Sequence, residues 1–430
     1  MRTDDPNDDV VWLGHRSTWG GQEPFGISAE ERRRHVYVIG KTGAGKSTLL
    51  RNMLVQDIEA GRGVGLIDPH GDLAEELLDS IPPSRTRDVV YFNPCDRERP
   101  IGLNLLASVP VEARPLVASG IVAACSGIWQ ESWGPRTAYL VYASVAALLD
   151  AEASTLLGVP RLLADERYRA WVVRQVKDPI VRSFWANEFA HYSPALRAEV
   201  ISPVQNKIGQ LLMSPIIRNV LGQVRSQIDL RFTMDRGRVF VANLSKGRLG
   251  QDKSDLLGAL LVAEFQLAAM SRTDTRPEDR RDFHLYVDEF QSFGTSAFAS
   301  ILSEARKYGL SLTLAHQFIG QIDPAVRDAI FGNVGTLIAF RVGEADAALL
   351  SREFGDGHPP HAFTELDHHA VRVKLASGHT HRDPFHGVTM PPLVRTHGRR
   401  DAIIRSSRER FSAPQLLIED RISRWMRRRW

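Results

Sequence analysis

Two cysteines, Cys95 and Cys125, are all that 430 residues carry. A single pair cannot staple a chain of this length, so a disulfide framework is excluded and a reducing compartment is expected. Each thiol reads as a small buried apolar group. Long hydrophobic runs are also scarce. The longest, Ala138 to Leu149, is too short to span a bilayer and is interrupted by a serine. It reads as a buried helix, and a soluble protein is expected. The opening residues, Met1 to Asp9, are acidic and lack the apolar core of a secretory signal. Nor does one sign of charge dominate. The formal net charge of +3 is too small to argue for or against nucleic acid. What remains is a chain with room for two or three domains and a large core.

Strand signals are missing from one long stretch. Short apolar runs suited to a buried parallel sheet occur at His35–Ile39, Val64–Asp68, Val89–Asn93, Val239–Asn243, His284–Asp288, Leu310–Ala315 and Leu337–Val342. They alternate with helical patterns such as Leu256–Ala269, which predicts an α/β core. Between Asn93 and Val239 no good strand appears. That stretch repeats a helix-start signal instead: Asp178-Pro179, Ser193-Pro194, Ser202-Pro203 and Ser214-Pro215 each set a capping side chain before a proline. The expected organisation is an all-helical insertion at 108–235 within a discontinuous α/β core, 1–107 plus 236–430.

The chemistry starts at "HVYVIGKTGAGKSTL", residues 35–49. Gly40-Lys41-Thr42-Gly43-Ala44-Gly45-Lys46-Ser47, followed by Thr48, fits the phosphate-binding loop G-x-x-x-x-G-K-[ST]. The strand before it and the helical period after it supply the required context. Glycines let backbone N–H groups close around phosphate oxygens, and the helix N-terminus adds partial positive charge. Lys46 is expected to reach the β- and γ-phosphates of ATP, and the Ser47 hydroxyl to bind Mg²⁺.

A second element, "HLYVDEFQSF" at 284–293, ends a strand in Asp288-Glu289. In phosphate-loop NTPases such a strand carboxylate, here Asp288, belongs to the Mg²⁺ shell. The adjacent Glu289 is suited to take a proton from attacking water. A third strand ends in His316-Gln317. An amide there can touch the γ-phosphate or the water, or merely cap a neighbouring helix.

Together, "GKTGAGKSTLL", "IDPHGDL" (67–73), "SWGPR" (132–136), "LYVDEFQSF" and "SEARKYGLSLTLAHQ" (303–317) resemble the FtsK/HerA superfamily of DNA-pumping ATPases. Within it, the chain is similar to the cytosolic part of conjugative type IV secretion coupling proteins of the TraD/TraG kind. The resemblance runs from about Phe25 to Pro392. It implies a RecA-like core, a homo-hexameric ring and DNA moved through a central pore. It also implies that Arg306 is an arginine finger presented to a neighbouring subunit, with Arg136 a weaker candidate. Asp68 falls in a motif near the nucleotide, without a clear role. Family members usually carry N-terminal transmembrane helices, and none is expected here. A cytoplasmic location, or a peripheral one at the inner membrane face through a membrane-embedded or relaxase-delivery partner, is expected. A HerA-like translocase in repair, defence or packaging, and a nucleotide-gated receptor for protein substrates, stay open.

Eight of fourteen histidines fall between His358 and His397. His379, His381 and His386 invite a metal reading, but the segment reads more simply as a β-hairpin turning at Ser377-Gly378. The basic C-terminus, "DRISRWMRRRW", reads first as a packed helix with solvated arginines and second as a DNA contact. Trp129 and Trp133 are expected to pack the insertion.

Overall fold

The computed structural model describes residues 9–129, 132–293, 297–375, 383–428 and 430. The chain forms two compact units: 1–91, 230–245 and 268–406 make the first, and 92–229, 246–267 and 407–430 the second. These limits differ from those read from the motifs. The second unit starts at Phe92, leaves out the helix Leu230–Asp235, and includes most of the helix Gln251–Met270 and the C-terminal helix Gln415–Arg427.

The first unit is built on one sheet. Its strands are β1 (Val10–Thr18), β2 (Gly21–Ser28), β3 (Val36–Ile39), β4 (Gly63–Asp68), β5 (Val89–Phe92), β6 (Val239–Asn243), β7 (Phe283–Val287), β8 (Leu310–His316), β9 (Thr336–Ala339), β10 (Ala370–Lys374) and β11 (Phe385–Thr389). Their order across the sheet is β2-β1-β11-β10-β9-β3-β8-β7-β4-β6-β5. The central run from β9 to β6 is parallel throughout. Strands β3, β4, β6, β7 and β8 are buried along their whole length, as a sheet covered on both faces requires. This is a RecA-like α/β core with a mostly parallel sheet.

All seven runs read as strands are strands. The anticipated hairpin is β10–β11, paired antiparallel, with His386 on β11 opposite Arg372. Its turn, with His379 and His381, lies outside the described residues. The reading missed β1 and β2. Strand β2 holds two glycines and Pro24, which weaken a strand signal but suit a sheet edge, where an absent N–H leaves no ladder partner wanting.

In the second unit every described regular element is helical. The starts at Pro179, Pro194 and Pro215 are as read, with Asp178 and Ser193 accepting from first-turn amides. Ser202-Pro203 is a correction: Pro203 lies inside the helix Pro194–Val204, which runs on into a π turn at Gln205–Gly209. A proline near a helix end forfeits one backbone hydrogen bond, and the wider turn takes up the distortion. Trp129 stacks on Trp133, ring centroids 5.9 Å apart. The C-terminal helix is packed rather than free, with Ile418 and Ile422 buried and Trp425 against Tyr168. Two helical segments, 111–128 and 251–274, are long and apolar enough to cross a membrane, the second largely buried in the protein. The run at Ala138 to Leu149 lies in the helix Pro135–Asp150 and is largely buried, as read.

Candidate functional site

Parallel register brings the motifs to one edge. Ile39 of β3 is level with His316 of β8, Leu314 of β8 with Val287 of β7, and Val287 with Ile67 of β4. The loop from Gly40, the amide of Gln317, the Asp288-Glu289 pair and Asp68 therefore emerge side by side at the carboxyl ends of adjacent strands. Residues 28 to 277 positions apart become neighbours because each ends a strand of the same sheet.

The loop between β3 and the helix Lys46–Glu59 turns through two left-handed glycines, Gly43 at φ 77° and Gly45 at φ 119°. Gly45 occupies the helix N-cap and offers no side chain to the first-turn amides, so those N–H groups are left for another acceptor. Leu49, Leu50, Met53, Leu54 and Ile58 bury the opposite face of that helix. The next helix, Asp72–Ser80, shows the contrast. Its N-cap is also a left-handed glycine, Gly71, but Asp68 accepts from His70 N at 2.8 Å and Ala74 N at 2.9 Å. Asp68 is therefore committed to shaping its own turn.

Lys46 is buried and donates to the Gly40 and Lys41 carbonyls at 2.5 and 3.2 Å. Burial lowers its pKa, while Glu289 and Asp288 nearby oppose that shift. Burial, with Asp68 and Glu289 alongside, pushes the Asp288 carboxyl up to about 7, against the pull of Lys46. Two carboxylates thus act on one ammonium, with Asp68 close enough to raise Asp288, an imbalance that a divalent cation would relieve. Ser47, in the first turn of the helix, is exposed, and Thr48 is half-buried. Among the described residues no group of three His, Cys, Asp or Glu is placed to hold a metal by itself.

Glu289 takes a left-handed backbone, φ 46° and ψ 47°, although it is not glycine. Such a conformation costs on the order of 1 kcal/mol and persists only where surroundings impose it. Its carboxylate accepts from Gln317 Nε2 at 2.8 Å and Gln291 Nε2 at 2.5 Å. The amide of Gln317 thus joins the β8 tip to Glu289. Reasoning from sequence missed Gln291, though its place two residues after Glu289 was a usable signal. It also missed Phe340 and His369. A Cβ on Gly40 would come within 2.5 Å of the Phe340 side chain, and one on Gly45 within 2.7 Å of the His369 ring. These two side chains brace the loop from behind, and only the fold brings them there.

Arg306 lies elsewhere. It is exposed in a 3-10 turn, Ala305–Tyr308, at the amino end of β8. The seven residues of β8 separate it from its own loop by roughly 20 Å. Among the described residues it forms no ion pair. Arg136 is exposed in the second unit and paired with Glu199 at 2.9 Å.

A phosphate loop on a central parallel strand, with a carboxylate pair two strands away and an amide on the strand between, defines the class: a RecA-like P-loop NTPase core. Family models sharpen this. One, described as the TraM recognition site of TraD and TraG, matches residues 282–369, and one described as the central domain of the helicase HerA matches residues 19–110. The chain is thereby similar to the TraD/TraG-like ATPases. The two matched segments hold the two halves of the site, Asp288 to Gln317 in one and the phosphate loop in the other. No curated protein sequence matches the chain. Among solved structures, the bacterial conjugative coupling protein TrwBdeltaN70 aligns over 86% of this chain and 87% of its own, at 13% identity and TM-score 0.62. TrwB in complex with the ATP analogue ADPNP aligns over 87% and 89%, at 14% identity and TM-score 0.63. VirB4 of Thermoanaerobacter pseudethanolicus aligns over 91% and 98%, at 13% identity and TM-score 0.56. At such identities the likeness is one of fold.

Proposed function

We propose that this chain is an ATP-hydrolysing motor of the type IV secretion coupling kind, which assembles as a homo-hexameric ring and moves DNA. The observation that carries the reading is the convergence of the phosphate loop, Asp288-Glu289 and Gln317 at one sheet edge within one compact unit. The match to TraD/TraG and the fold shared with TrwB and VirB4 support it.

Loop amides from Gly40 to Thr48 and the Lys46 ammonium would bind the phosphates. Ser47 and Asp288 would hold Mg²⁺, which fits the unbalanced carboxylates beside Lys46. When bound, the ion supplies charge neutralisation to the phosphoryl group being transferred. Glu289, clasped by two amides, would accept the proton of the attacking water. Gln317 would report the state of that carboxylate to β8. Arg306 cannot reach its own loop, which supports a role at a neighbouring subunit's nucleotide. The pull on DNA would come from the resulting shift between subunits.

The test is ATPase rate with single- and double-stranded DNA at 50 and 200 mM salt. Stimulation that collapses with salt is expected, since contacts to about 6–10 phosphates lose on the order of 10³–10⁵ in affinity over that range. A rate indifferent to both DNA forms but raised by a partner protein would instead favour a nucleotide-gated receptor for protein substrates. The matched description of a TraM recognition site gives that second reading its support.

A further inference from the structure

The turn that carries Arg306 is held from outside by two other arginines. A 3-10 turn of four residues leaves its last carbonyls without partners inside the turn. Here, Arg280 Nη1 donates to the Lys307 carbonyl at 2.6 Å, and Arg272 Nη1 to the Tyr308 carbonyl at 3.0 Å. Both guanidinium groups are tied at their other ends. Arg280 Nε donates to the carbonyls of Arg272 and Thr275, at 3.1 and 2.9 Å. Arg272, fully buried, also donates to the Arg281 carbonyl at 3.0 Å and pairs with Asp235 at 2.8 Å.

The turn then closes on Gly309, left-handed at φ 70°. A Cβ there would approach Arg272 Nη1 to 3.3 Å, so glycine serves both the turn and the close approach of the guanidinium. Gly309 passes its carbonyl to Phe283 N at 2.8 Å, which locks the turn to the start of β7. Arg306 directly precedes these anchors, with an exposed side chain that makes no ion pair among the described residues. The direction in which it projects is therefore set by the backbone, and the backbone by its anchors.

We propose that Arg280 and Arg272 are positioning residues for Arg306, clamping its turn so that the guanidinium is aimed before it meets the neighbouring nucleotide. The proposal rests on the trans role given to Arg306. Planar forks suit the task. One guanidinium can hold two or three carbonyls at fixed angles, whereas an ammonium is a point donor on a flexible stem. A finger stabilises charge only in the transition state. Loosening its mount should lower kcat and leave ATP binding at the far edge of the sheet unchanged.

The test uses the full chain as Arg306→Ala, Arg280→Ala, Arg280→Lys and the Arg280→Ala/Arg306→Ala double variant. Steady-state kcat and KM for ATP are measured, with a thermal melt of each. Arg280→Ala should lose about 10–100-fold in kcat, the cost of a small misplacement, with KM within about threefold. Arg280→Lys should recover little of it. The double variant should be no slower than Arg306→Ala alone, because a mount without its finger has nothing left to aim. Arg280→Ala mixed with Lys46→Ala should regain part of the activity, as Arg306→Ala should in the same mixture. Loss in Arg280→Ala that multiplies onto the loss in Arg306→Ala would overturn the positioning role and leave the finger standing. So would a kcat within threefold of wild type in a folded variant. A near-normal Arg306→Ala would remove the finger itself, and the proposal with it. If Arg280→Ala does not fold, Arg280→Lys carries the same comparisons.

Discussion

Replacing Glu289 by glutamine separates binding from chemistry at this site. The two amides that clasp the carboxylate, Gln317 and Gln291, both donate to it. In Glu289→Gln one acceptor oxygen becomes an NH₂ donor, so one clasping amide faces a like group. A rotation of that partner's own amide turns its carbonyl inward and restores the contact, because oxygen and nitrogen exchange places. The folded state should therefore lose no more than about 1 kcal/mol, the net worth of one hydrogen bond. The electrostatic effect on binding is favourable or neutral. One negative charge leaves a cluster in which Asp288 already feels Asp68 and Glu289, so a triphosphate meets less repulsion. The chemical effect is large. Neutral amide cannot accept the water's proton, and a positioned base is worth about 10²–10⁴ in rate, or roughly 3–5 kcal/mol. Two assays decide it: equilibrium binding of a fluorescent ATP analogue, and single-turnover hydrolysis with Mg²⁺. Affinity equal to wild type or tighter is expected, with turnover slowed at least about 100-fold. Turnover within a few-fold of wild type, or a loss of affinity matching that of Lys46→Ala, would refute the assignment of Glu289 as base.

Arg306→Ala should bind ATP normally yet lose most of its turnover, since a finger is worth on the order of 10³–10⁵. Mixing it with Lys46→Ala subunits should restore part of the rate; no recovery in verified mixed rings would falsify action in trans. Gly45→Ala should abolish nucleotide binding, measured by the same fluorescent analogue. Its Cβ meets the His369 ring at 2.7 Å in a backbone conformation that favours glycine. Normal affinity would show that the brace is soft. Arg32 and Asp57 form a fully buried pair at 2.6 Å, with the Tyr286 hydroxyl bonded to both. Arg32→Met should therefore destabilise the first unit by about 3–5 kcal/mol, read as a fall in the midpoint of urea unfolding. An unchanged midpoint would show the pair to be dispensable. Stability should fall as pH drops below about 6.5. Burial lowers the pKa of His35 to about 4 and of His284 and His316 to about 3. Unfolded imidazoles take up protons from about pH 6.5 downward while these three stay neutral. That outweighs the protons that the folded state gains at Asp288 and Glu264, both raised by burial to about 7, so acid favours the unfolded chain. Equal urea midpoints at pH 7 and pH 5 would contradict this.

Strands β3 to β9 and the phosphate loop were legible because their signals are local. A buried parallel strand must be apolar along its length, and a loop that wraps phosphate needs glycine where φ is positive. Asp288, Glu289 and Gln317 were legible for the same reason, each sitting where an apolar run stops. Strands β1 and β2 were not, since the outer end of the sheet, where β2 is the edge, can carry glycine and proline. The unit boundaries were hidden too. Helices Gln251–Met270 and Gln415–Arg427 read as ordinary amphipathic or apolar segments, and nothing local says which core buries them. Three features were decided by tertiary structure alone: the reach of Gln317 to Glu289, the backing of Gly40 and Gly45 by Phe340 and His369, and the mount of Arg272 and Arg280 beneath Arg306. Each depends on groups brought within hydrogen-bonding or van der Waals distance by strand order, packing or a turn's closure. A linear sequence records which groups are available for such contacts but not which of them the fold places together.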